Sequence, residues 1–96
     1  MTIDVKKFAT ILTSRQLGKE ALAAYLPNFD NISSLEKIYI NFDGVDVFSP
    51  SWGDEFLTAL HKKFDNRLIL KKSLNASVIE SIKILEEANN IKFIIE

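Results

Sequence analysis

Residues 37–57 read KIYINFDGVDVFSPSWGDEFL and join an apolar strand pattern to a turn and the start of a helix. Lys37 to Phe42 is short, apolar and rich in β-branched and aromatic residues, which indicates a strand buried on both faces. Asp43-Gly44 ends this run, since glycine accepts the positive φ that a tight turn often needs. Pro50 fixes its own φ and favours extended backbone at Ser49, so a helix is expected only beyond Ser49.

The helix after this corner is predicted to start at Ser51. Serine is a favoured N-cap residue, and Asp54, three residues later, gives the acidic variant of a capping box. Past the cap, large apolar residues recur every four positions and predict one buried helical stripe: Trp52, Phe56, Leu60 and Phe64. A strand-to-helix junction of this kind lies at the C-terminal edge of an α/β sheet, where ligands and partners tend to bind.

The rest of the chain alternates strand and helix patterns. The predicted elements are an edge strand over 3–8, a helix over 15–26, a strand over 68–70, a helix that begins at Asn75 or Ser77, and a closing strand over 91–95. Leu74, in the loop before the last helix, is predicted to be a buried anchor. This alternation predicts an α/β layer with mostly parallel strands and right-handed crossovers, and it leaves the strand order open.

The first predicted helix contains a glycine at an interior position. Leu17, Ala21, Ala24 and Tyr25 are expected to form its core face. Gly18 costs about 1 kcal/mol relative to alanine in a helix. Its presence therefore predicts that another backbone passes close to this helix.

Size and composition are those of one ordinary globular domain over residues 1–96, with a net charge of −1 and no cysteine. The near-zero charge gives no basic footprint for nucleic acid or a membrane surface. The absence of cysteine excludes disulfides, a thiolate nucleophile and a cysteine zinc site. The first residues lack the apolar run of a signal peptide, and no stretch is long enough to span a bilayer. We therefore expect a cytoplasmic protein.

Few side chains suggest catalysis. His61 is the single histidine, so no Ser-His-Asp arrangement is expected, and the glycines lack the spacing of a phosphate-binding loop. The acidic residues around the corner are Asp43, Asp46, Asp54 and Glu55. They could hold Mg²⁺ through oxygen ligands, but turn, loop, capping and solvated positions are the simpler interpretation. We expect no catalytic residue, no metal and no cofactor.

Ser49, Ser51 and Trp52 remain as the distinctive residues of the corner. A phosphate on either serine would lie near a helix N-terminus, which favours negative charge by about 0.3–1 kcal/mol. Trp52 is interpreted either as a lid over the core, which its periodicity with Phe56 favours, or as a half-exposed contact for a partner.

The motif over 37–57 resembles the STAS-like domain family, small bacterial proteins with an apolar strand, Asp-Phe-x-Gly-Val, a serine-rich corner and Phe/Trp-x-Asp-Glu-Phe-Leu. Residues 14–20, Ser-Arg-Gln-Leu-Gly-Lys-Glu, resemble the upstream Arg-x-x-Gly helix of that family, and Asn75 with the helix after it resembles the downstream part. The resemblance implies a single-domain α/β STAS-like sandwich, with about four strands in a mostly parallel sheet and three helices.

The corner is also distantly similar to that of STAS domains proper, the anti-sigma-factor antagonists. In those domains a partner kinase phosphorylates a serine at the N-terminus of the helix after the core strand. An ungapped comparison places Pro50 at that position, between Ser49 and Ser51. The resemblance thus implies signalling, a kinase-like ATPase or another regulator as partner, and phosphorylation of one of these serines.

Three functions are compatible with the sequence. The leading hypothesis is a non-enzymatic regulatory module that binds a protein partner through the corner, with Asp46, Ser49, Ser51, Trp52, Asp54 and Glu55 as its contact residues. The second is a small-ligand domain that holds a nucleotide or Mg²⁺ at the same corner through Asp43 and Asp46. The third is a structural subunit that forms a homodimer through its closing strand or an apolar helix face.

Overall fold

The computed structural model describes residues 1–96. The strands are β1 (Thr2–Asp4), β2 (Ile11–Leu12), β3 (Ile38–Asn41), β4 (Val47–Phe48), β5 (Leu68–Leu70) and β6 (Ile94–Ile95). Helix α1 spans Arg15–Tyr25 and α3 spans Ala76–Asn89. Helix α2 runs without a break over 50–64, as α-helical Pro50–Gly53, π-helical Asp54–Thr58 and α-helical Ala59–Phe64. None of the helices has the length and apolar character needed to cross a membrane.

The main sheet has four strands in the order β1-β3-β5-β6, and every neighbouring pair is parallel. Helices α1, α2 and α3 are the three crossovers, and each one moves the chain by one strand in the same direction. Right-handed crossovers that all step the same way place their helices on the same face of a sheet. The predicted α/β fold with a mostly parallel four-stranded sheet and three helices is confirmed.

One-directional winding leaves the second face of the sheet without helices. Ile38 and Ile40 of β3 are fully buried against the helices, whereas Tyr39 and Asn41, on the other face, are only partly buried. Along that open face, Thr2, Tyr39, Ile69 and Ile94 lie side by side in register. The prediction that β3 is covered on both faces is therefore wrong.

The core between the sheet and the helices is rich in aromatic rings. Trp52 and Phe56 of α2 stack with ring centroids 4.8 Å apart, and Phe8 and Phe48 pack edge-on or tilted against them. The predicted stripe of α2 is confirmed, since its four large residues are all buried: Trp52, Phe56, Leu60 and Phe64. This helix is the centre of the fold.

Helix α1 packs through a different face from the one predicted. Gly18, Ala21 and Tyr25 are buried, but Leu17 is 57% exposed and Ala24 is exposed as well. A Cβ on Gly18 would lie 2.7 Å from the carbonyl oxygen of Trp52, so the glycine does mark a close backbone approach, as predicted. That approach turns Gly18 toward α2 and leaves Leu17 at the surface.

Several element bounds differ from the predictions. Strand β1 is at the sheet edge as predicted, but it ends at Asp4 and continues as a 3₁₀ turn over Val5–Lys7. Strand β6 is shorter than the predicted 91–95. Leu74 is 91% exposed, so the prediction that it is a buried anchor is wrong. Leu74 lies in the loop before α3, and the next residue, Asn75, fixes the start of that helix as its N-cap.

Candidate functional site

A small second sheet forms the base of the corner. Strands β2 and β4 pair in parallel, with Ile11 opposite Val47 and Leu12 opposite Phe48. The backbone N–H of Ser49 donates to the Leu12 carbonyl at 3.0 Å, and the N–H groups of Asp46 and Val47 both donate to Thr10. Sequence patterns missed this pairing because a strand of two residues has no measurable periodicity.

The N-terminal part of α3 holds the other edge of β4 with side chains. The N–H of Phe48 donates to Ser77 Oγ at 3.0 Å, and the hydroxyl of the buried Ser81 donates to the Phe48 carbonyl at 2.9 Å. Two serines one helical turn apart thus occupy the place of a third strand. The available sequence signal was a serine at 81 among the core-facing residues Val78, Ile82 and Leu85.

Asn75 ties α3 to the loop before β4. Its Oδ1 accepts hydrogen bonds from the N–H groups of Ser77 and Val78, at 2.9 and 3.3 Å, so Asn75 is the N-cap of α3 and Ser77 is not. Its Nδ2 donates to the carbonyls of Val45 and Asp46, at 2.9 and 3.1 Å. One amide therefore caps a helix and fixes the chain that leads into the corner.

The N-cap of α2 is Ser49, and the prediction that Ser51 caps this helix is wrong. Ser49 has extended backbone, its Oγ accepts from the Trp52 N–H at 3.5 Å, and its hydroxyl donates to the Thr13 carbonyl at 3.1 Å. Pro50 takes the first helical position, where its missing N–H costs nothing and its fixed φ is already helical. Ser51 then lies in the first turn, partly exposed, with its hydroxyl free of partners in the chain.

Arg15, at the start of α1, bridges the two acidic residues of α2. Its Nη1 lies 3.0 Å from Asp54 Oδ2 and 3.1 Å from Glu55 Oε1. The hydrogen bond from the Arg15 guanidinium, assisted by the Asn89 amide at 3.4 Å, holds the pKa of Asp54 below its usual range, against partial burial that would raise it. The same contacts raise the pKa of Arg15. The motif Arg15-x-x-Gly18 therefore meets the Trp52-x-Asp54-Glu55 motif across the α1–α2 contact.

Asp54 and Glu55 begin the π-helical part of α2, a kind of turn that is frequent at functional sites. Thr58, the last residue of that part, is 3% exposed, and its hydroxyl makes no hydrogen bond of normal geometry. It nevertheless lies close enough to Asp54 to favour the charged form of that carboxylate, though less than Arg15 does.

The predicted contact residues of the corner differ in accessibility. Trp52 is 1% exposed and forms the lid over the core, the interpretation that its periodicity with Phe56 favours, so it has little surface of its own for a partner. Asp54 and Glu55 are partly buried and bound by Arg15. Asp46 is exposed. Ser49 and Ser51, which follow it in the chain, are partly exposed. Accessible surface therefore remains on Asp46, on the two serines and, around the Arg15 contact, on Asp54 and Glu55.

Beside these residues lies an apolar groove that the sequence did not reveal. It has a volume of about 340 Å³ between the segment before β2 and helix α1, with Phe8, Ile11 and Leu17 in its walls and Trp52 beneath. Ile11 is 59% exposed and Leu17 57%, and Val47, opposite Ile11 in the β2–β4 pair, is 42% exposed. The corner therefore presents apolar side chains next to its serines.

No cluster of side chains suited to metal binding forms at the corner. No three His, Cys, Asp or Glu side chains come together in a way that could hold a metal ion. His61 packs edge-on against Phe93, with Nε2 3.9 Å from Asp65, about 15 Å along α2 from Ser51. The corner thus offers shape, apolar surface and hydroxyl groups.

Comparisons with protein-family models, curated proteins and solved structures give no match for this chain. The resemblance to the STAS-like family therefore stays a prediction.

Proposed function

We propose that this protein is a non-enzymatic regulatory module that binds a protein partner through the corner around Ser49–Glu55. The observation that carries the proposal is the group of exposed apolar side chains of Ile11, Leu17 and Val47, next to Asp46 and the two serines. Exposed apolar side chains with a polar rim are typical of protein interaction sites.

The firmly held backbone of β4 beneath the corner favours this function. The backbone of β4 is bonded to β2 on one side and to Ser77 and Ser81 on the other, and Asn75 fixes the preceding loop. A preformed surface loses little conformational entropy when it binds, so a modest apolar contact area gives useful affinity.

Phosphorylation is proposed as the control of this docking, with Ser51 as the favoured acceptor. The hydroxyl of Ser49 is used twice, as N-cap of α2 and as donor to Thr13, whereas that of Ser51 is free. A phosphate on Ser51 would add about −1.5 to −2 charge beside an apolar surface and weaken docking by repulsion and desolvation. Arg15 already neutralises part of the acidic charge nearby, so the fold would accept the phosphate.

The docking proposal is tested by capture from the host with the tagged protein, side by side with the variants Ile11→Asp and Val47→Asp. The matched control is Leu35→Asp, which changes an 87% exposed leucine in the loop before β3, at the opposite end of the sheet. A regulatory protein, such as a kinase-like ATPase, should be retained by the wild type and the control and lost from both corner variants. Equal retention by all four proteins would exclude the corner as the docking site.

Intact mass of the protein recovered from its host tests the switch. A one-phosphate increment that disappears in Ser51→Ala and persists in Ser49→Ala is expected. Because Ser49→Ala also removes an N-cap worth about 1 kcal/mol, unfolding curves of both variants are needed to separate lost phosphorylation from lost stability. If docking of the double variant Ser49→Ala/Ser51→Ala still responded to ATP as docking of the wild type does, neither serine would be the phosphorylation site that controls docking.

An alternative function is the binding of a small apolar ligand in the groove beside α1. Its apolar walls favour such a ligand over the nucleotide or Mg²⁺ site at Asp43 and Asp46, which needs clustered oxygen ligands. A rise in unfolding temperature with fatty acids or aromatic carboxylates, abolished by Leu17→Asp, would favour this alternative.

A further inference from the structure

A second groove lies at the carboxyl ends of β5 and β6, between these strands and α3. Its volume is about 390 Å³, and it shares no residue with the apolar groove beside α1. We call it the basic groove, because lysines form its rim and isoleucines line its apolar part: Lys71, Lys72, Lys83 and Lys92, with Ile79 and Ile95.

Charge is distributed very unevenly around this groove. The whole chain has a net charge of −1, yet four of its lysines lie here and Glu86 is the single acidic residue of the lining. Glu86 is already engaged, since Oε2 accepts from the Phe93 N–H at 2.8 Å and Oε1 lies 3.9 Å from Lys92 Nζ. The lining of the groove therefore has a net positive charge, which attracts anionic groups.

The apolar part of the basic groove is accessible to a partner, since Ile79 is 39% exposed and Ile95 is 49% exposed. The strip from Ile79 to Glu86 along α3 is about 10 Å long. No aromatic side chain lines it on which a nucleic-acid base could stack, which argues against single-stranded nucleic acid.

We infer that the basic groove binds an acidic peptide segment of a partner protein. Apolar side chains of the segment lie against Ile79 and Ile95, and its carboxylates lie near Lys72, Lys83 and Lys92. This is a surface separate from the corner, and the inference does not depend on the function proposed for the corner. A protein with both surfaces can hold two partners, or two parts of one partner, at once.

Selection of peptides from a random dodecapeptide display library on the full-length protein tests this inference. The enriched peptides should combine Asp or Glu with Leu, Ile or Phe, and synthetic copies should bind with an affinity that falls steeply when salt is raised to about 0.5 M. The double variant Lys83→Glu/Lys92→Glu should bind them about tenfold or more weakly. Lys19→Glu/Lys62→Glu makes the same charge change at two exposed lysines outside the groove and should bind as the wild type does.

Two further variants separate charge from apolar contact and one groove from the other. Ile79→Ser should weaken binding of the same peptides at high salt as well as at low salt, while Val47→Asp at the corner should leave it unchanged. The inference would be overturned if the enriched peptides had no acidic residues or if no peptide were enriched. It would also be overturned if the peptides bound Lys83→Glu/Lys92→Glu as tightly as they bind the wild type. Equal binding of short single-stranded DNA and of the peptides would show a site for polyanions instead.

Discussion

Gly18 lies where helix α1 passes the first turn of α2. An alanine Cβ at this position would be 2.7 Å from the Trp52 carbonyl oxygen and 3.1 Å from its Cα, and backbone atoms of a packed helix cannot move aside cheaply. Alanine gains about 1 kcal/mol in helix propensity, but overpacking of a core costs about 1–3 kcal/mol. We expect Gly18→Ala to lower the free energy of unfolding by up to about 2 kcal/mol, measured by urea denaturation.

Lys19→Ala is the matched control for that substitution, because it places alanine at the neighbouring, exposed position of the same helix. Trp52 is the only tryptophan, and it is buried, so its fluorescence reports unfolding in both variants. If Gly18→Ala were as stable as Lys19→Ala, the close approach of the two backbones would not limit the residue at this position.

Asp54 makes stability depend on pH in a predictable direction. The pKa of Asp54 is lowered in the folded protein from the usual 3.8, mainly by Arg15. The stabilisation that Asp54 gives the folded state is therefore complete when the pH is above its pKa in the unfolded chain, and it is lost as the pH falls through its pKa in the folded protein. Asp54→Asn should therefore be less stable than the wild type at about pH 7, by less than about 1 kcal/mol because the ion pair is partly exposed, and the difference should vanish in acid.

Urea denaturation at several pH values measures this effect, with Asp30→Asn as the control. Asp30 is exposed and its carboxylate makes no ion pair, so Asp30→Asn makes the same change from carboxylate to amide without breaking an ion pair. A difference between Asp54→Asn and the wild type that persists below about pH 2 would mean that the carboxylate acts by packing rather than by its charge.

At the scale of elements, β4 depends on α3 for half of its backbone hydrogen bonds. Ser81→Ala should leave the Phe48 carbonyl without a partner in a buried position, which costs about 1–3 kcal/mol. We expect a loss of that size in the free energy of unfolding, together with faster hydrogen exchange of the Ser49 amide, because the β2–β4 pair would open more often.

Ser34→Ala is a suitable control, since Ser34 is exposed in the loop before β3 and makes no hydrogen bond with its side chain. If Ser81→Ala were as stable as Ser34→Ala, the serine bond to β4 would be replaced by water and would not support the corner.

The elements also show which parts of the fold can be predicted from sequence patterns. The buried stripe of α2 and the apolar β3 could be predicted because each repeats a period over several residues. The β2–β4 pair could not, since two-residue strands carry no period. The N-cap was misplaced because Ser49 and Ser51 are both good capping residues, and only the preference of Pro50 for the first helical position distinguishes them. The apolar groove escaped prediction because Gly18, by approaching Trp52, rotates Leu17 out of the core.

For the whole molecule, the direction in which the chain winds across the sheet determines which face of the sheet the helices cover. Sequence alternation alone could not reveal that direction, because crossovers of similar length connect adjacent strands whichever way the sheet grows. Once all three helices lie on one face, the corner and the basic groove both form at the C-terminal edge, on either side of α3. The opposite face of the sheet remains open along Tyr39, Ile69 and Ile94.

The open face predicts unequal roles for two neighbouring residues of β5. Ile69 is 1% exposed and Leu70 is 0% exposed, yet only Leu70 belongs to the core cluster beneath the helices. Leu70→Ala should create a cavity and cost about 2–5 kcal/mol, whereas a shortened side chain at 69 leaves a site that water and the flanking side chains can fill. We expect Ile69→Ala to cost about half as much or less in urea denaturation, and equal losses would mean that Ile69 is packed as tightly as Leu70 is in the core.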